Sequence, residues 1–394
     1  MNRTIFCIRK CSSLYSEARF LSVLLAFAIL CNFVACSEDS PTIPTEILAL
    51  RLIQSSSDSN AGNSGENSSA GETTGEGQTR DLKVFCNYES KYIHKDAVVT
   101  FTSTETGVEI SVGTSSDSNA TEPDSWAVAS TYTFTSTGTV KLFATITRDG
   151  STIGKNFDFT YEVVDQYPID TEESISKDDS SLIAWADGHV GLSYGADVAD
   201  LWKTPAKAYG SATGNNMDIV SLGNHGEITL TFSSGIKNGS GFDFVVFENA
   251  FESGGSGKMF AELAYIEVSS DGTNFLRFDN VSRTPGPVGG YGALDMRNIY
   301  GYAGQHPNAY GTSKGTPFDL DWLRNKEKVV NGMVDLNNIF YVKIVDISGA
   351  PDDSEAPTYY PSYDSFDTII HDAYKTWGSG GFDLEAVGVI HNAN

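Results

Sequence analysis

Five carboxylates near the end of this 394-residue sequence have the spacing to gather around one cation. Asp364, Asp367 and Asp372 fall within nine residues, and Asp383 and Glu385 open the last apolar run. Calcium takes six to eight such hard oxygens from carboxylates and backbone carbonyls. The glycine at position six and the glutamate at position twelve of an EF-hand loop are missing, so the expectation is a structural Ca2+ in an irregular site. A solvated acidic loop is the alternative. Glu248 and Glu262 are a second pair, able in principle to act as the acid and base of a glycosidase, which places two carboxylates across the scissile bond. The competing reading has Glu248 and Asn249 bonding loop backbone.

Other catalytic signatures are absent. No Gly-x-Ser-x-Gly lies at a strand-to-helix turn, and Gly311-Thr312-Ser313-Lys314-Gly315 lacks the spacing and preceding strand of a phosphate-binding loop. His189, His225, His306, His371 and His391 are scattered, with no zinc-type pair. The expectation is therefore a binding protein and not an enzyme. Nine of the 18 tyrosines lie between Tyr291 and Tyr374. A tyrosine ring offers an apolar face for stacking and a polar tip, which suits sugars. The predicted ligand face comprises Tyr291, Tyr300, Tyr302, Tyr310, Tyr359, Tyr360, Tyr363 and Trp377, with Glu248 and Asn249. The alternative is that these rings pack long loops onto a core.

Charge narrows the class of partner. With 26 basic and 51 acidic residues the chain carries a net −25, a surface that repels nucleic acid and anionic lipid headgroups. At the N-terminus Arg3, Arg9, Lys10 and Arg19 precede the apolar stretch Phe20 to Val34, the order of a secretory signal. The stretch is shorter than the roughly 20 residues of a membrane-spanning helix. Of five cysteines, Cys7, Cys11 and Cys31 would leave with that signal.

The elements that must position these residues follow from patterning. From residue 36 to 80 the sequence is rich in Ser, Gly, Asn and Thr, with little to bury, as in a flexible tether. From 81 to 168, alternation such as Val98-Val99-Thr100-Phe101-Thr102, with the turn Asp149-Gly150, predicts strands and hairpins. From 169 to 394 the pattern is again all-β, with strands at Glu227 to Phe232, Phe242 to Phe247, Leu263 to Ser269, Phe275 to Phe278, Ile339 to Ile347 and Leu384 to Ile390. Helix is expected only as a turn or two near Asp321 to Glu327.

Several segments resemble known families. Phe33-Val34-Ala35-Cys36 resembles a bacterial lipobox, which implies a signal peptide over 1–35 and a lipid on Cys36; a plain signal cut near Ala35 is the alternative. Ser37-Glu38-Asp39 is similar to acidic surface-export tags of some lipoproteins. Ser130-Thr131-Tyr132-Thr133-Phe134 with Ser136-Thr137-Gly138-Thr139-Val140 resembles PKD-like and Ig-like modules, whose usual role is as a spacer. The ordered series Val220-Ser221-Leu222-Gly223-Asn224, Asp243 to Phe251, Glu262 to Phe275, Thr284 to Gly290, Gly315 to Leu320 and Gly380 to Ile390 resembles a family of bacterial cell-surface proteins. The hairpin around Asp271-Gly272 and the closing strand Phe382 to Ile390 are similar to galactose-binding-like sandwiches, where a calcium often lies near the last strand, in the position of Glu385.

These resemblances imply an all-β protein: an Ig/PKD-like β-sandwich, then a larger galactose-binding-like jelly roll. Together with the tyrosine-rich loops they lead to the expectation of a lipoprotein of the outer membrane or cell surface that binds an extracellular glycan, the family resemblance itself naming no ligand. The rival expectations are an accessory that hands a nutrient such as a corrinoid to an outer-membrane transporter, a glycoside hydrolase-like enzyme and a structural surface-layer protein.

Overall fold

The computed structural model describes residues 80–169, 173–349 and 361–393. The signal, Cys36 and nearly all of the tether lie outside them. Strands dominate throughout, and the α-helix Glu327–Val330 is a single turn, preceded by the 3-10 turn Leu320–Leu323, where the sequence predicted helix. Among the described residues no helix is long and apolar enough to cross a membrane.

Residues 84 to 164 build two sheets. Val84–Cys86, Val98–Ser103 and Thr131–Thr133 form one; the other runs Tyr92–His94, Phe157–Val164, Gly138–Arg148, Glu109–Ser115, Trp126–Val128. Phe157–Val164 alternates buried and half-buried positions along its length, as a strand with one face on a core must. Phe101 of the small sheet meets Phe157 of the large one edge-on at 5.3 Å, so the two sheets face each other across a shared core. The turn Asp149-Gly150 has positive φ at both residues (51° and 77°), the primed turn that matches strand twist. Cys86 lies in this core, beside the Tyr161 hydroxyl at 3.8 Å, and burial pushes its thiol up to about 12.

From residue 175 onward two further large sheets pair. The first runs Ile175–Ser176, Lys314–Phe318, Phe244–Glu248, Asp383–Val389, Ala184–Trp185; the second runs Gly188–Ser193, Glu227–Ile236, Ile339–Asp346, Ala264–Ser269, Leu276–Arg277. Phe244–Glu248 and Asp383–Val389 are buried at every position. Phe244 and Val246 join the main core, while Val245 and Phe247 turn the other way, onto Ala212, Leu182 and Trp185. Coverage on both faces explains why these strands read as unbroken apolar runs. A small sheet, Phe251–Glu252, Lys258–Phe260 and Leu294–Asp295, lies over a second core containing Met259, Leu263, Tyr265 and Ile370.

The two sheet groups belong to one compact unit. Tyr167 stacks on Tyr300 at 5.7 Å and Tyr92 meets the same ring edge-on at 5.1 Å. Beside them Lys326 reaches Asp279 and lies 3.8 Å from Glu89, and Asn325 donates to Glu89 Oε2 at 2.8 Å. Burial raises the Glu89 carboxyl to about 7. The first group is therefore packed onto the second through aromatic rings and a buried ion pair.

Candidate functional site

A row of four rings lies on the small sheet. Antiparallel pairing sets Phe251 opposite Phe260, with ring centroids 5.3 Å apart. Tyr310 meets Phe251 edge-on at 5.4 Å, and Tyr291 stacks over Phe260 at 6.5 Å. The two phenylalanines are half-buried, and both tyrosines are 55% exposed. Each ring stands where it does for a local reason. Met259 points down into the second core, so its neighbour Phe260 must point up. Tyr310 sits at φ 56° and ψ 32°, a left-handed conformation that costs an L-residue roughly 1–2 kcal/mol. Strain of this kind persists where surroundings impose it, commonly at binding sites.

Trp377, 57% exposed, belongs to a loop that abuts that of Tyr291. Gly290 lies so close to it that a Cβ there would stand 2.0 Å from the Lys375 carbonyl oxygen. Tyr363 is half-exposed, and its carbonyl accepts a hydrogen bond from the Tyr265 hydroxyl at 2.8 Å. Tyr359 and Tyr360 lie outside the described residues.

Two predicted ligand tyrosines require correction. Tyr302 is wholly buried in the second core and Tyr300 is 8% exposed, covered by Tyr92 and Tyr167 from the distant first sheet group. Glu248 is likewise buried, and Asn249 is half-buried. Glu248 ends a strand buried on both faces and accepts from the Ala250 amide at 2.8 Å, while Asn249 donates to the Asn216 carbonyl at 3.3 Å and to Asp383 at 3.2 Å. Their observed use is the alternative one, bonding loop backbone.

The predicted cation ligands are divided between the 364–372 loops and the strand Asp383–Val389, and most of them fasten loop backbone. Asp364 accepts from the amides of Ser282, Phe366 and Thr368 at 2.8–2.9 Å. Asp372 accepts from the Leu263 and Ala373 amides at 2.7 Å each. Glu385 Oε1 receives the Thr213 amide (2.6 Å), the Thr213 hydroxyl (2.8 Å) and the Gly214 amide (2.7 Å), and Asn308 donates to Oε2. Asp383 is held by Ser221 and Asn249, and Asp367 stands exposed at φ 59°. Among the described residues no group of three or more His, Cys, Asp or Glu is arranged to hold a metal ion.

Five acids nonetheless share one buried neighbourhood: Glu248, Glu262, Asp346, Asp372 and Asp383. Desolvation raises all of them, Asp346 and Asp383 to about 7, and repulsion from neighbouring acids adds to it for Glu248, Glu262, Asp372 and Asp383. Glu262, donated to by Thr376 at 2.6 Å, is only 3% exposed and Glu248 1%. A saccharide would reach them only by opening the packing above.

Phe251 and Phe260 escaped the sequence reading. Their signal was present: two aromatic residues flanking the five-residue Gly/Ser stretch Ser253 to Gly257, at positions that a hairpin brings opposite each other. Fold and site together define an all-β protein with a solvent-facing aromatic row. Neither a protein-family model nor a curated protein matches the chain.

Proposed function

We propose that this chain is a lipid-anchored surface protein that binds an extracellular glycan without turning it over. In this reading the lipid sits on Cys36, residues 36–80 form the tether, an Ig/PKD-like sandwich follows, and a galactose-binding-like jelly roll carries the site. The aromatic row Tyr310–Phe251–Phe260–Tyr291 is the observation that carries it. In this reading the exposed tyrosine rings at the two ends stack on the apolar faces of sugar units, the half-buried phenylalanines between them add apolar contact, and the tyrosine hydroxyls add hydrogen bonds. The acidic surface agrees with a neutral ligand over an anionic polymer.

Affinity electrophoresis of the full-length chain in detergent, through gels cast with neutral polysaccharides, tests the reading. Retardation is expected with at least one polysaccharide, without release of reducing sugar. Tyr291→Ala and Tyr310→Ala should each weaken it about tenfold, the loss of one stacking contact. Unretarded migration through every gel would overturn the glycan reading, and Cys36→Ser that stays membrane-bound would overturn the anchor.

A further inference from the structure

A second site lies away from the aromatic row, where the two sheet groups meet. A cleft of about 560 Å³ opens between residues 94–97 of the first group and the segments 281–285 and 364–371 of the second. That volume falls within the usual range for small-molecule sites. One wall is apolar, made by Tyr167, Val281, Pro285, Phe366 and Ile369.

The polar side of the cleft is incompletely satisfied. Among the described residues Ser282, 2% exposed, has no partner for its Oγ, and the same holds for Thr284 Oγ1 and His371 Nδ1, all three buried atoms. Buried polar atoms are rarely left so, and an unmade hydrogen bond costs about 1–3 kcal/mol. Arg283 lines the same cleft, is exposed, and makes no side-chain hydrogen bond or ion pair among the described residues. In a protein with 51 acidic against 26 basic residues, a guanidinium without a carboxylate among the described residues is unexpected. Of the described acids nearby, Asp96 pairs with Lys95 at 3.0 Å, Asp364 is occupied by three backbone amides, and Asp165 acts on His94. The Arg283 charge is felt inside the cleft, where it helps hold His94 neutral, after burial, and lowers Tyr167 against burial.

We propose that this cleft binds a small organic anion, its carboxylate or phosphate on Arg283 and its apolar body against Tyr167 and Phe366. Arginine suits the task because its planar fork pairs with two oxygens at once. Ser282 and Thr284 line the same cleft as Arg283.

Calorimetric titration of the full-length chain in detergent with sodium glucuronate, inorganic phosphate and neutral glucose tests the proposal. Saturable binding of glucuronate, phosphate or both is expected, and none of glucose. Glucuronate alone assigns a carboxylate ligand and phosphate alone a phosphorylated one. Arg283→Gln should weaken binding about tenfold or more, with partial recovery in Arg283→Lys. Tyr310→Ala should leave it unchanged, which separates this site from the glycan row. Failure of both anions to saturate, or wild-type affinity in Arg283→Gln, would overturn it.

Discussion

At the scale of single residues, the buried acids dominate the chemistry. Asp346 and Asp383 hold their protons to about pH 7, where the unfolded chain would release them near 3.8. Between those values the folded state binds more protons, so stability is fullest below about pH 4 and falls as pH rises to about 7. Glu248, Glu262 and Asp372 act in the same direction. Buried His306, held neutral down to about 4, opposes them below the ordinary histidine range, and Asp271, kept low by the Asn274 and Thr273 amides, opposes them below about pH 4. The acids outnumber these groups, so the melting temperature should be about 5 °C or more higher at pH 5 than at pH 8. A flat profile in a calorimeter would show that these carboxylates ionise inside the fold. Tyr310 makes a second prediction at this scale. Tyr310→Gly removes the left-handed strain, so stability should rise by up to about 1 kcal/mol in urea titration while glycan binding falls.

At the scale of elements, strands with β-branched and aromatic runs were legible in the sequence. Glu227–Ile236, Phe244–Glu248, Ala264–Ser269, Ile339–Asp346 and Asp383–Val389 all fall within a residue or a few of the expected windows. Among the strands of five or more residues after residue 169, two were not. Gly188–Ser193 is an edge strand with half or fully exposed side chains, so no apolar alternation marks it. Lys314–Phe318 carries Pro317, which ordinarily argues against a strand. Its neighbour Ile175–Ser176 pairs only with residues 314 and 315, so the missing amide of Pro317 falls past the end of that pairing. The same strand gives a test of packing. A Cβ on Gly315 would stand 2.4 Å from Val245 Cγ1 and 2.8 Å from Phe247 Cε1, so Gly315→Val should destabilise by about 1–3 kcal/mol through overpacking, read from the urea midpoint.

At the scale of the whole molecule, the least legible feature was which loops cover which. Tyr300 sits in a segment that reads as a loop, yet Tyr92 and Tyr167, more than a hundred residues away, seal it. Local pattern carries no trace of such a long-range contact, and the cleft at Arg283 arises from the same junction. Lys326 is its electrostatic centre. Lys326→Met leaves Glu89 and Asp279 without their cation, and breaking a buried pair from one side costs about 3–5 kcal/mol. The variant should therefore melt well below wild type and lose anion binding at the cleft as the junction loosens. Unchanged stability would mean that the acids simply take up protons in its absence.

Cys86 gives the same molecule an internal clock. With its sulfur buried and its thiolate suppressed, an alkylating reagent modifies it only during moments when the first sandwich opens. The rate at which mass spectrometry finds the Cys86 peptide modified is thus a count of openings under native conditions. Comparing that rate with and without ligand would report how firmly an occupied cleft holds the two halves shut.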